Sequence, residues 1–289
     1  PMSEDRNNVQ EKGHGGRPLM HGGHSAVHGH GGHPGHPGMP GAANEEQPRA
    51  VLTYEGWFSL HATYRINFQM WQSWTATERK AALLEFKRFI ADLEKEHEAH
   101  KSSYALYNAS GEKGDLLLWI LQPTLEEVNA VKTRLHKLKI AAVLEATSSF
   151  VSVIEVSNYM QFDINHPRVQ ERLYPKIPRL RYMCFYPMSK KREQGDNWFM
   201  TDRAERGRMM RSHGQIGRKY EDVIKEFTTG ACGLDDWEWG ITLMSDDVVQ
   251  FKKIVYEMRF DEVSARFGLF GSFTVGTLLD DQSLTALFA

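Results

Sequence analysis

Along residues 49–289 the apolar positions recur alternately with a period of two and a period near 3.6, and the same series runs twice. In the first series YEGWFSLHATY predicts a strand at about 54–64. ATERKAALLEFKRFIADLEKEH predicts a helix at about 76–97, with Thr77 as its N-cap and Glu78 behind it. Strands follow near 103–109 and 115–121, joined by the turn-rich SGEKG. Thr124 then opens a helix whose Leu125, Val128, Val131 and Leu135 repeat at helical spacing, and SFVSVIEVS closes the unit as a strand at 149–157.

The second series has strand RYMCFYPM, a helix at about 202–213, and strands at about 221–229 and 235–245. A helix with Val248, Phe251, Ile254, Val255 and Met258 on one face follows, then a last strand, FGSFTVGTLL. Each half is β-α-β-β-α-β, the ferredoxin-like arrangement, whose antiparallel sheet carries helices on one face and needs a cover on the other. The expected architecture is therefore α+β. Two tandem ferredoxin-like halves, 49–165 and 166–289, pack their sheets together as in a dimeric α+β barrel, within a ring-shaped oligomer.

Residues 1–48 break this pattern, being Gly, His and Pro with almost nothing to bury, and they predict a disordered tail. Its histidines (His14, His21, His24, His28, His30, His33, His36) leave two readings open, a metal-binding tract or a flexible appendage.

A hydrophobic content of 41% supports a real core, and a formal charge of -2 lacks the basic excess that nucleic acid or an anionic membrane surface would demand. No apolar run approaches the ~20 residues of a membrane span, and no basic, then apolar leader opens the chain, so neither export nor membrane insertion is expected. Cys184 and Cys232 each lie in an apolar, strand-like run; they read as buried reduced thiols of a cytoplasmic protein.

The candidate chemistry starts with CFYPMSKKR. Extended backbone puts Tyr186, Met188 and Lys190 on one face, while Pro187 is out of place in mid-sheet. His213 follows RMMRS and precedes Gly214, which reads as a helix-terminating glycine. Its ring either interacts with the helix C-terminus or binds metal. No His, Cys or carboxylate lies at a spacing that would complete a zinc site with it, so a metal there would need its other ligands from a group such as a porphyrin. A carboxylated porphyrin would need cations, and Arg172, Arg259 and Arg266 are candidates, each equally readable as a surface salt bridge. His97, His100, His136 and His166 read as solvated, and His61 as either packed or exposed. Asp235 and Asp236 read as a turn entering a strand. Nucleophile elbows, phosphate-cradling loops and zincin helices are missing from the sequence.

Taken together, RLYPKIP, CFYPMSKKR, NWFM, MMRSHGQIGRKY, GLDDWEWGITL and FKKIVYEMRFDEVSARF, within about residues 52–280, resemble the chlorite dismutase-like superfamily and, inside it, the coproheme decarboxylases. The resemblance implies an enzyme that uses hydrogen peroxide to decarboxylate iron coproporphyrin III (coproheme), at once substrate and redox cofactor. Peroxide at the iron generates an oxidising species, and two propionates become the vinyl groups of haem b. By the same resemblance Tyr186 forms a radical that takes hydrogen from a propionate β-carbon. Lys190 holds or protonates the neighbouring carboxylate and eases deprotonation of the phenol. Met188 packs on the porphyrin edge, His213 is the axial ligand, and Arg172, Arg259 and Ser264 hold propionates. A homopentamer is implied, with coproporphyrin ferrochelatase as a candidate for transient contact.

Two positions depart from the family pattern. Glu226 stands 13 residues past His213, where relatives commonly carry glutamine. An unbroken helix would separate the two by about 20 Å along its axis, so Gly214 and Gly217 are expected to end the helix and a strand to return Glu226 over the ring, as a general base or as a solvated strand residue. Ser148 and Phe150 stand where relatives have tyrosines, which predicts one propionate hydrogen bond either lost or supplied differently. Rival readings are a haem peroxidase or chlorite-degrading enzyme on the same fold, and a non-catalytic haem carrier or sensor; a carrier has no use for an oxidisable phenol beside a propionate.

Overall fold

The computed structural model describes residues 49–289, so the Gly/His/Pro-rich tail expected at 1–48 lies outside the described residues. The first half runs β1 (Thr53–Ile66), α1 (Phe68–Ser73), α2 (Ala76–Glu98), β2 (Ser103–Ala109), β3 (Leu116–Gln122), α3 (Leu125–His136) and β4 (Leu144–Ser157). The second runs α4 (Pro167–Leu173), β5 (Tyr182–Lys190), α5 (Arg203–Arg218), β6 (Lys225–Gly230), β7 (Trp239–Ser245), α6 (Val249–Met258), α7 (Glu262–Phe267), β8 (Gly268–Phe270), β9 (Thr274–Leu278) and α8 (Asp281–Leu287). Strand order is β4-β1-β3-β2 in one half and β9-β5-β7-β6 in the other, the same ferredoxin-like order twice. The sheets do not merely stack. β4 pairs with β6 (Val153 with Gly230) and β2 with β9 (Ala109 with Gly276), so all the strands close into one antiparallel barrel, with β8 continuing the line of β9 along β5. Closure removes the free edges that two separate sheets would expose.

Alternation along the strands sorts the core into layers. On β3, Leu117, Trp119 and Leu121 fill the barrel, while Leu116, Leu118 and Ile120 pack under α2 and α3 with Phe86, Phe89 and Leu93. This strand is buried on both faces, which is why it reads as a continuous apolar run. On β5, Met183 and Phe185 point into the barrel and Cys184 and Tyr186 point outward toward α6.

Several expectations shift. The N-cap of α2 is Thr75, not Thr77: only Thr75 lies three residues before Glu78, and the two form a reciprocal capping box. α5 does not end at Gly214. It runs through Gly214 and Gly217 to Arg218, because both glycines leave space beside the helix instead of turning the chain; the nearest neighbour at Gly217 is Met258 of α6. His97 is buried and bonded to Ser103, not solvated. Cys184 is buried, its thiol pushed up to about 12 by desolvation, but Cys232 is exposed in the turn after β6. Pro187 does sit inside the sheet. Its carbonyl accepts from Gly271 N at 2.8 Å, and a strand residue directs N–H and C=O to the same side. The missing donor therefore falls at the break between β8 and β9, and the β7 ladder is spared. Among the described residues, no helix is long and apolar enough to cross a membrane.

Candidate active site

Because Tyr186, Met188 and Lys190 alternate with Phe185 and Pro187, they face away from the barrel interior and line a cavity between the second sheet and helices α5, α6 and α7. The cavity encloses ≈ 1090 Å³, its open mouth included. His213, Glu226, Arg259 and Ser264 line the same space. Arg172 does not; it lines an adjoining recess that also contains His213, Glu226, Gly214 and Gly217. Arg266 is occupied elsewhere, paired with Asp196 and Glu262. Ser148 and Phe150 line a different cavity, beside His61 and Pro187, because β4 turns them away from α5. The expected loss of a propionate contact at those two positions therefore does not apply to this site.

α5 presents His213 from mid-helix, and so the helix-terminus reading falls. Its Nδ1–H donates to Asp261 Oδ2 at 2.8 Å. The Asp261 carboxylate is almost fully buried and also caps α7 by accepting from Ser264 N. This bond commits Nδ1, leaves Nε2 as the nitrogen available to a metal, and raises its basicity. Asp261 was missed in the sequence, although its Asp-x-x-Ser spacing marks an N-cap.

Tyr186 stacks on Phe273 with ring centroids 4.2 Å apart. Burial pushes its phenol well above the ordinary range, Glu226 and Cys184 add to the shift, and Arg259 offsets part of it. The expectation that Lys190 would ease deprotonation is not met: the cation that acts on the phenol is Arg259, enclosure outweighs it, and the group stays a neutral phenol. Lys190 Nζ stands 4.3 Å from the ring centroid of Trp198 and 4.5 Å from that of Trp239. Desolvation lowers its pKa to about 8 against the pull of Glu238 and Glu155. Arg259 lies 3.8 Å over the Phe270 ring.

β6 carries Glu226 back beside α5, as expected, although the helix reaches Arg218 first. The side chain is solvent-accessible, opening onto the cavity and the recess beside it, with protein packed around its base. Partial desolvation by the surrounding protein raises its carboxyl pKa, and His213 and Arg172 pull the other way.

These donors suit a carboxylated metalloporphyrin. One imidazole with a committed second nitrogen, apolar walls from Ile241, Leu243, Ile254 and Val263, and cations at the rim are what a flat, anionic macrocycle requires. Among the described residues, the one cluster able to gather around an ion by itself, Glu94, His97 and Glu98, lies elsewhere, and its Glu94 is already bonded to Arg179 and Tyr104.

The model of the chlorite dismutase family matches residues 79–279, and the chain belongs to that family. It is 45% identical over 245 residues to coproheme decarboxylase of Staphylococcus carnosus (strain TM300), a match that covers 83% of this chain and 98% of that protein. A heme-binding protein from Thermus thermophilus superposes with a TM-score of 0.82 at 43% identity, covering 83% of this chain and 98% of that one. A mutant chlorite dismutase from Candidatus Nitrospira defluvii superposes at 0.67 with 18% identity, covering 81% and 96%, a likeness of fold alone.

Proposed function

We propose that this protein uses hydrogen peroxide to decarboxylate two propionates of iron coproporphyrin III, giving haem b. The observation that carries the reading is the gathering of Tyr186, Met188 and Lys190 in one cavity with His213. Similarity to the coproheme decarboxylase of Staphylococcus carnosus supports it.

For each propionate, R–CH2–CH2–COO⁻ becomes R–CH=CH2. Carbon dioxide and one β-hydrogen leave with two electrons, and hydrogen peroxide takes up the electrons and protons to become two waters. When bound, the iron porphyrin supplies the redox centre that passes peroxide's oxidising power to the site. His213 Nε2 would hold the metal, and Arg259, Ser264 and Arg172 would hold carboxylates. Lys190, still largely charged at neutral pH, would hold the carboxylate beside Tyr186 while Trp198 and Trp239 keep water from it. A neutral phenol that gives up an electron must give up its proton too, so Tyr186 acts as a hydrogen-atom carrier and is restored by taking the β-hydrogen. Glu226 accepts the proton of incoming peroxide as general base.

A carrier would need His213 and its anchors, but neither Tyr186 nor Lys190. The same reading puts the enzyme in the cytoplasm as a ring-shaped homo-oligomer; the exposed rings of Tyr256 and Phe260, 5.3 Å apart, support a surface that a neighbour covers. The deciding experiment adds iron coproporphyrin III and hydrogen peroxide to purified protein and follows porphyrin mass. Two successive losses of carbon dioxide are expected; peroxide consumption with unchanged mass would make it a peroxidase instead.

A further inference from the structure

Arg206 lies in α5 with 4% of its surface exposed. Among the described residues, neither its Nε nor its Nη2 has a hydrogen-bond partner. Its guanidinium lies over the Trp198 ring at 5.9 Å, the ring over which Lys190 Nζ stands at 4.3 Å. Tyr159 is a further neighbour, its phenol pushed up by burial and eased by Arg206. Trp198, Lys190 and Tyr159 all line the cavity, and Arg206, which does not itself line it, stands behind them beside Trp198 and Tyr159. Two cations thus share one indole, and Glu238 and Glu155 offset the charge of Lys190. Burying a guanidinium with free donors is costly, and a fold keeps one where an anion arrives to meet it.

We propose that Arg206 and Lys190 together form a clasp on Trp198 for one carboxylate of the porphyrin, which makes Arg206 a determinant of preference for a four-propionate over a two-propionate macrocycle. This rests on the function proposed above and adds a residue to it. Guanidinium supplies the donors that fix the carboxylate's orientation, and the ammonium supplies compact charge. The groups facing Lys190 are Glu238, Glu155, Arg206 and Cys232, and of these Arg206 lowers its pKa. Removing Arg206 therefore moves the alkaline loss of binding to higher pH.

The test is fluorescence titration of the full-length protein with metal-free coproporphyrin III and, separately, protoporphyrin IX, with thermal melting of the same samples. R206M is expected to weaken coproporphyrin III binding about tenfold or more. Protoporphyrin IX binding should change by less than about threefold and the melting temperature should hold or rise, because an unpaired buried charge has been removed. The alkaline limb, near pH 8 in the unaltered protein, should move upward, and R206K should lose less affinity than R206M. Unchanged coproporphyrin III binding by R206M would overturn the clasp and leave the proposed function standing. Equal loss of both porphyrins with a lowered melting temperature would also overturn it, making Arg206 a structural residue. No coproporphyrin III binding by the unaltered protein would overturn both.

Discussion

His213 and Asp261 are joined by a 2.8 Å hydrogen bond, and the same carboxylate caps α7, so the imidazole is oriented by the start of a neighbouring helix. D261N exchanges a charged acceptor for a neutral amide, which draws the Nδ1 proton far less strongly. Affinity for iron coproporphyrin III should fall about 10- to 100-fold, while metal-free coproporphyrin binds nearly as before. Parallel absorbance titrations with the two ligands check this; equal losses would show that Asp261 shapes the cavity and not the ligand.

Y186F removes the phenol and keeps the stack on Phe273. Coproporphyrin III should bind within about threefold of the unaltered protein, since no charged contact is lost. The porphyrin mass should then stay at its four-propionate value after peroxide is added. Loss of carbon dioxide from this variant would remove Tyr186 from the chemistry.

E226A should slow the reaction with peroxide by about 10²- to 10⁴-fold, the usual contribution of a positioned base. Stopped-flow mixing of the loaded enzyme with peroxide measures it. An unchanged rate would leave Glu226 as a strand residue that happens to face the cavity.

Lys190 makes a prediction about stability. Its pKa is about 8 in the fold, against roughly 10.4 in an unfolded chain. Between those values the unfolded chain binds more protons, so this group's contribution to stability rises as pH climbs from 8 toward 10. K190M should be more stable than the unaltered protein at pH 7, on the order of 2 kcal/mol, with the advantage shrinking above pH 8. Urea unfolding of both proteins at pH 7 and pH 9.5, a pH roughly midway through the titration window, gives the comparison. A difference independent of pH would mean the ammonium is not desolvated.

At the β2–β9 seam, a Cβ on Gly276 would lie 2.6 Å from the carbonyl oxygen of Asn108. G276A should destabilise the protein by about 1–3 kcal/mol without changing affinity for metal-free coproporphyrin III. Denaturation and the fluorescence titration check the two halves of that statement.

The repeated series of elements was legible because each strand and helix has a strong period, as in the doubly buried LLLWIL of β3 and the Phe251/Ile254 face of α6. Barrel closure was not, since pairings such as Val153 with Gly230 join residues far apart in the chain and leave no local pattern. Tyr186, Met188 and Lys190 were legible as one face from spacing alone. Gly214 misled because glycine serves two purposes, turning a chain and opening space, and only the packing of α5 against Met258 distinguishes them. Nothing in RAERGRMMR singles out Arg206, because the neighbours that enclose it, Trp198 and Tyr159, lie outside that stretch.

Lys113, in the turn between β2 and β3, donates from Nζ to the carbonyl oxygen of Phe273 at 2.6 Å. Phe273 is the ring on which Tyr186 rests. The half that holds neither the imidazole nor the phenol thus reaches across to anchor the backbone of the ring on which the phenol stacks. Under the proposed function, two copies of one topology divide the labour: one would carry out the oxidation, and the other would limit how far its intermediary can wander.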